Sequence, residues 1–246
     1  MRKKIIVLSL SIIGFVVLCA GVFAGWFFYQ MRDMHAIETA QISDSLFVIK
    51  GTMSNMYLIK TKDGFIAFDA GDNPDKIAKG CETLSIDPSS VRAVFLTHSD
   101  ADHVDGLTVF PSAKVYISKD EVPLLKEKKY RHFLGLEHMN SLPVSTYETL
   151  SDGDALDIGG TLVHAVSTPG HTLGSTCYRV GDAIFTGDLC IIVNGKVQPM
   201  VEIFTENMDM DMISIRKIAA MSNINQMYTA HTGYTMNSKD ALDMWR

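Results

Sequence analysis

The sequence predicts a mixed α/β layered domain behind one membrane-spanning helix. Three observations carry that expectation. From Ile5 to Tyr29 the chain has no charged residue and is mostly apolar, which is long enough to span a bilayer with some tilt. From residue 42 onward, β-type runs come early, helical patterns are interleaved and β-type runs resume, the order of a layered α/β domain. Finally, four apolar runs end directly in a histidine or an aspartate, and loops at the ends of a rigid sheet are where sites are usually built.

The N-terminal run fixes a topology. Met1-Arg2-Lys3-Lys4 precedes it, and Trp26 and Tyr29 sit near its end. Basic flanks stay cytoplasmic and aromatic residues prefer the membrane interface, so the expected order is a cytoplasmic flank over 1–4, an anchor over 5–29, a juxtamembrane linker over 30–41 and an extracytoplasmic domain over 42–246. A cleaved signal peptide is the alternative, with Val22-Phe23-Ala24 as its cleavage site, but apolar residues continue through Phe28. A lipoprotein reading through Cys19 meets bulky Leu18 where a small residue is expected.

The elements follow in order. Phe47–Lys50, Tyr57–Lys60 and Phe65–Phe68 read as strands, with Lys62-Asp63-Gly64 as a hairpin turn between the last two. Asp72-Asn73-Pro74-Asp75 opens a helix whose apolar residues are Ile77, Ala78, Cys81 and Leu84. A strand over Val91–Thr97 is followed by a short helix over Val104–Phe110. Val115–Ile117 is a strand, and Ser118-Lys119-Asp120-Glu121 has the spacing of a capping box for the next helix. Residues 130–146 mix His132, Phe133, Leu136 and Met139 without a clear period. Strands resume at Thr161–Ser167, Ser175–Val180 and Ala183–Thr186, and Leu189–Pro199 reads as a hairpin about Asn194-Gly195. Asn207 caps a helix through Met221, with Asp209 and Asp211 in its first turn, where the helix dipole favours carboxylates.

Composition narrows the partners. A net charge of -6 and the absence of any basic stripe argue against a nucleic-acid surface. Outside the anchor the cysteines are Cys81, Cys177 and Cys190, an odd number with no metal-knuckle spacing, so no disulfide framework is expected. Six of the fourteen methionines fall between Met200 and Met227; those after Asn207 are expected mainly in helix core and surface.

Chemistry concentrates at the four strand ends. Val94–Thr97 ends in His98, Val163–Pro169 in Gly170-His171, Ile184–Gly187 in Asp188, and Met227–Ala230 in His231. The densest stretch is His98-Ser99-Asp100-Ala101-Asp102-His103, four metal-ligand types within six residues. One backbone turn after a strand thereby delivers several ligands to one point. Four of the eight histidines belong to this pattern, whereas His35, His132, His138 and His164 do not. Tyr234, just beyond His231, has either a substrate-facing phenol or a packing role.

Five motifs in order carry a resemblance. Thr97-His98-Ser99-Asp100-Ala101-Asp102-His103-Val104-Asp105-Gly106 resembles the HxHxDH motif of the metallo-β-lactamase superfamily of metallohydrolases. Thr168-Pro169-Gly170-His171, Phe185-Thr186-Gly187-Asp188 and Thr229-Ala230-His231 are similar to its later ligand motifs, and Phe68-Asp69-Ala70-Gly71 to its early Asp turn. The resemblance runs from about residue 42 to the C-terminus. It implies an αβ/βα sandwich with metals in a cleft between the sheet edges. Carried over by position, one ion takes His98, Asp100 and His171, the other takes Asp102, His103 and His231, and Asp188 bridges them. Two such ions would hold a water between them, acidify it and polarise the bond under attack. Asp102 would hold or shuttle the proton, and Asp69 would orient ligands or serve as a structural turn residue. The implied cofactor is two divalent ions, zinc first. The implied substrate is a small ester, lactone, thioester, lactam or phosphoester.

Asp100 departs from the pattern, which has a histidine there. A third ligand carboxylate brings a two-ion cluster with a bridging hydroxide from roughly +1 to roughly 0, and oxygen ligands move preference from zinc toward manganese or iron. Asp100 therefore keeps two alternatives open: a non-haem di-iron redox enzyme resembling flavodiiron proteins, whose flavodoxin domain this chain lacks, and a non-catalytic metal-binding or sensing ectodomain.

Overall fold

In this computed structural model residues 2–126, 131–133 and 136–246 are described, with side chains described from residue 12 onward except at 132, 133, 136 and 138. The chain divides into two units, Met1–Met34 and His35–Arg246. In the first, helix α1 spans Arg2–Met31. Its segment Ile12–Met31 has a mean hydropathy of 2.2, long and apolar enough to cross a membrane. Trp26 and Tyr29 are exposed on it; Met1 and the side chains of the basic flank lie outside the described residues.

The second unit is built on two sheets. Strands β1 (Ala40–Gln41), β2 (Leu46–Lys50), β3 (Asn55–Thr61) and β4 (Gly64–Phe68) run antiparallel in sequence. Helix α2 (Pro74–Thr83) then crosses to β5 (Val91–Phe95), which pairs parallel with β4. Helix α3 (Ala101–Val104) leads through a 3-10 turn to β6 (Lys114–Ser118), and α4 (Val122–Lys126) follows. A small hairpin of β7 (Arg131–Phe133) and β8 (Leu136–His138) precedes β9 (Glu148–Leu150), which completes a seven-stranded sheet in the order β1-β2-β3-β4-β5-β6-β9.

The second sheet begins with β10 (Ala155–Ile158), β11 (Thr161–Ser167), β12 (Thr176–Val180) and β13 (Ala183–Gly187). After the hairpin β14 (Cys190–Val193) and β15 (Lys196–Pro199) come α5 (Met208–Ala219), β16 (Gln226–Thr229), β17 (Gly233–Thr235) and α6 (Ser238–Ala241). The six strands order as β10-β11-β12-β13-β16-β17, with β13 and β16 parallel across α5.

Side-chain alternation places the layers. Along β4, Ile66 and Phe68 face the second sheet, whereas Phe65 and Ala67 face Ile77 and Cys81 of α2, the two-residue period of a strand buried on both faces. Between the sheets an aromatic stack joins Phe68, Phe95, Phe185, Tyr178, Tyr57 and Tyr228, with Phe68 and Phe185 at 3.8 Å between ring centroids. Buried phenols need partners: Tyr178 donates to the Leu96 carbonyl at 2.8 Å and Tyr57 to that of Thr229 at 2.9 Å. Ile215 and Ile218 of α5 cover the outer face of the second sheet over Cys177, Ile184 and Met227. The result is the expected αβ/βα sandwich.

Several local expectations shift. The apolar side of α2 is Ile77, Gly80 and Cys81, while Ala78 is exposed. Helix begins at Ala101, inside the ligand row, and continues beyond Asp105 only as a 3-10 turn. The Ser118–Glu121 capping box does not form, because the Glu121 carboxylate accepts from Ser99 and Thr172 instead. His35–Gln41, expected as linker, is tied into the fold through His35 N–H to the His231 carbonyl and Ile37 N–H to Asn55 Oδ1. The Asn194-Gly195 turn forms as read, both residues having positive φ (51° and 75°), the type I′ geometry those residues favour. In the segment 130–146, the side chains of His132, Phe133 and Leu136 lie outside the described residues.

Candidate metal centre

Every ligand-type residue that the sequence placed at a strand end reaches one region of the second unit. His98 follows β5, His171 follows β11, Asp188 follows β13 and His231 follows β16, while Asp102 and His103 enter on the first turn of α3. Backbone bonds hold these loops together, the first across the two sheets: Thr176 N–H donates to the Thr97 carbonyl at 2.9 Å, Ala230 N–H to that of Gly187 at 3.3 Å and Ala70 N–H to that of His103 at 2.7 Å. Gly187 is obligatory. Its φ is +53°, and a Cβ there would meet Thr97 Oγ1 at 2.3 Å.

The donors form two adjacent groups. Asp102, His103, Asp188 and His231 make a tetrad, and His98, Asp100 and His171 a triad, the ligand atoms in each lying within 4.8 Å of one another. Asp188 reaches toward both. Its Oδ1 lies 3.2 Å from His103 Nε2 and 3.1 Å from His231 Nε2, and its Oδ2 lies 3.5 Å from His171 Nε2. The histidines of both groups are buried; Asp102, with 30 % of its side chain exposed, and Asp100, with 21 %, are the members that reach solvent.

Outer partners orient the rings. Asp69, at φ +58°, turns its carboxylate back onto the Thr97 N–H (2.8 Å) and hydroxyl and onto His103 Nδ1 (2.9 Å). His231 Nδ1 donates to the Met53 carbonyl at 2.7 Å. Because the Thr97 hydroxyl donates to Asp69, it accepts from His98 Nδ1 at 3.0 Å. Each of these three rings therefore has its Nδ1 engaged and its Nε2 turned inward, the arrangement that presents an imidazole lone pair to a cation.

Electrostatics separates the groups. Burial opposes a proton on His103 and His231, but the carboxylates of Asp188 and Asp102 outweigh it and raise both, His103 strongly. Burial likewise opposes ionisation of Asp188 and Asp102, yet the surrounding imidazoles hold both below the usual carboxylate range, Asp188 far below it. Such a field favours positive charge in the tetrad. In the triad burial wins at His171, whose pKa falls to about 4, while the neighbouring imidazoles of His171 and His98 outweigh burial and keep Asp100 well below its ordinary range.

Fit to a cation also differs. The tetrad retains a buried nitrogen, His103 Nε2, and a buried oxygen, Asp188 Oδ1, without hydrogen-bond partners, and two imidazoles with two carboxylates suit a divalent ion. The triad is already engaged. Arg131, on β7, donates through Nε to Asp100 Oδ1 at 3.0 Å and through Nη2 to Asp100 Oδ2 at 2.8 Å. The same Nη2 lies 3.1 Å from His171 Nε2, and the guanidinium also bonds the carbonyls of His171 and Phe204 and pairs with Glu206 at 3.3 Å. Of the inward-facing triad atoms, His98 Nε2 is the one left without a hydrogen bond.

Three contributors were not legible beforehand. Arg131 lay in the aperiodic segment, Glu121 was read as a cap, and Asn140 donates to both Asp100 Oδ1 and Ser99 Oγ at 2.8 Å. The third carboxylate in the ligand row signalled that a counter-cation was needed, though not which one. Tyr234 stacks on Tyr228 at 5.5 Å between centroids and remains 40% exposed.

Residues 49–244 match the family described as the metallo-beta-lactamase superfamily. A probable polyketide biosynthesis zinc-dependent hydrolase, PksB, of Bacillus subtilis is 35% identical over 116 residues, covering 46% of this chain and 45% of the relative. A hydroxyacylglutathione hydrolase of Aeromonas salmonicida is 24% identical over 193 residues, covering 76% and 64%. The chain thus spans about half the length of the first curated relatives it matches. Among solved structures, a metallo-beta-lactamase family protein from Thermus thermophilus superposes with a TM-score of 0.66 at 17% identity, covering 83% of this chain and 79% of that one, a likeness of fold.

Proposed function

Since the chain belongs to the metallo-beta-lactamase superfamily, we propose that it is a membrane-anchored, metal-dependent hydrolase of small molecules. The observation that carries this reading is the tetrad, where four donors converge within 4.8 Å and two of them, His103 Nε2 and Asp188 Oδ1, are buried without a hydrogen-bond partner. A divalent ion there supplies Lewis acidity and lowers the pKa of water. Zinc is the proposed ion, as in the zinc-dependent relatives; manganese and iron were left open only on account of Asp100, which lies outside the tetrad.

The chain's own residues supply the rest. Asp69 and the Met53 carbonyl engage Nδ1 of His103 and His231, leaving Nε2 of each as the atom that would hold the ion. Asp188 spans toward the triad. Asp102, partly exposed with Oδ2 3.5 Å from His103 Nε2 and 3.4 Å from His231 Nε2, would accept the proton of an attacking water. Met53, whose carbonyl holds His231, and Leu173, two residues after His171, are exposed and favour a substrate with an apolar portion. The substrate class is an ester, lactone, thioester, lactam or phosphoester. Helix α1 is the anchor, with its basic flank cytoplasmic and the second unit on the far side.

The test is metal analysis of the purified full chain together with turnover of a panel of such substrates. Bound zinc and hydrolysis that drops about 100-fold or more in Asp188→Ala or His231→Ala support the reading. Iron with oxygen-dependent chemistry overturns it, as does a metal-loaded protein inert to the whole panel, which would favour a sensing role.

A further inference from the structure

Asp100 has no acceptor capacity left over. A carboxylate offers about four lone-pair sites, and here Oδ1 faces Arg131 Nε at 3.0 Å and Asn140 Nδ2 at 2.8 Å, while Oδ2 faces Arg131 Nη2 at 2.8 Å and His171 Nε2 at 3.1 Å. The fork is bidentate, the strongest geometry an arginine and a carboxylate adopt. Arg131 itself is buried, 7% exposed, and is fastened from behind by the carbonyls of His171 and Phe204 and by Glu206. A buried guanidinium held by that many acceptors does not leave without stranding them.

Its place matters more than its strength. Arg131 Nη2 stands within hydrogen-bond distance of Asp100 Oδ2 and His171 Nε2, two of the three atoms through which the triad would grip an ion. A dication at the triad would need Asp100 Oδ2 and an unprotonated His171 Nε2, and would lie against a fixed positive charge in a poorly solvated pocket, where repulsion is weakly screened. Among the described residues no such cation faces the tetrad: the hydrogen-bond and ion-pair partners of its side chains are Asp69, the Met53 carbonyl, the triad's His171 and its own members.

From this geometry we infer that Arg131 is the resident cation of the triad, taking the place of one metal ion, so that the protein binds a single ion tightly, in the tetrad. The aspartate at position 100 and the arginine at 131 are then one device: the carboxylate exchanges the imidazole's affinity for an ion for a grip on a guanidinium. A positive charge is kept at the triad, but as a guanidinium whose N–H groups are already taken by Asp100, Glu206 and the carbonyls of His171 and Phe204. The inference rests on the metal-dependent reading above and sharpens it from two ions to one.

The test is zinc titration of the full-length protein in detergent micelles against a chromophoric chelator, with stoichiometry confirmed by elemental analysis. The wild type is expected to bind one zinc per chain beyond the chelator's reach, and His231→Ala to lose it. Arg131→Met is expected to bind a second equivalent at least tenfold more tightly than the wild type does, and Arg131→Lys, which keeps charge but not the fork, to fall between them. Two equally tight equivalents in the wild type would overturn the inference and leave the hydrolase reading intact; no tight zinc in the wild type would overturn both. Unchanged zinc binding in a folded Arg131→Met also overturns it. Should that variant fail to fold, the wild-type stoichiometry and the lysine variant decide.

Discussion

Asp69 and Asp211 are two buried carboxylates with opposite situations. Asp69 accepts from Thr97 and His103, so it acts on the proposed metal through the ring it orients. Asp69→Ala is expected to weaken zinc binding about 10- to 100-fold, read by the same chelator competition, with the fold checked by circular dichroism. Asp211 is fully buried in the first turn of α5 with neither oxygen hydrogen-bonded by a side chain. Burial, reinforced by the negative Asp188, pushes its pKa from 3.8 to about 8. The folded protein thus keeps a proton there that the unfolded chain releases above about pH 4. Stability from this group is present at low pH and declines as pH rises toward 8, by on the order of a few kcal/mol. Asp211→Asn should flatten that slope and raise Tm at about pH 8; an unchanged pH dependence of Tm would contradict the assignment. The sequence placed Asp211 correctly near a helix start, but only packing against Gly170 reveals that the position is dry.

At the level of elements, the ligand loops are braced from outside the strands that carry them. Glu121, just before α4, accepts from Ser99 N–H (2.9 Å), Ser99 Oγ (2.6 Å) and Thr172 Oγ1 (2.6 Å), joining the loop after β5 to the loop after β11. Glu121→Ala leaves those donors buried and unpaired and should cost about 2–4 kcal/mol, measured by denaturant unfolding, whereas Glu121→Gln should cost less than half as much. The sheets are also sealed around their thiols. Burial raises Cys81 to about 11 and Cys177 to about 12, and it raises Cys190 further, so none is a thiolate at neutral pH. A thiol reagent should modify these three only as fast as the protein unfolds. Strand positions were largely readable, because an alternating or continuous apolar run is a local property. The capping box was misread because Ser118 and Glu121 have the right spacing for it, yet two loops remote in sequence offered the carboxylate more donors than one helix end did.

On the scale of the molecule, the two units answer different questions. Helix α1 has the length and apolarity for a membrane, while His35–Arg246 holds both clusters and the aromatic core between the sheets. Truncation after Met34 should therefore release a folded protein with the Tm and zinc stoichiometry of the full chain; removal through Gln41 should lower Tm, because it strips the bonds from His35 and Ile37 and the strand β1. By itself the sequence determined the apolar helix, the order of strands and helices, and all seven ligand-type residues, since each is written in hydrophobic period or in a motif a few residues long. The resemblance also grouped the seven into two sets; only the tertiary structure decided that the Asp69 carboxylate turns onto His103, that Glu121 braces two loops rather than caps a helix, and that Arg131 sits on the triad. The last depends on charges brought within about 3 Å across 31 to 73 residues of chain, and a buried charge takes its meaning from whichever partners the fold sets beside it.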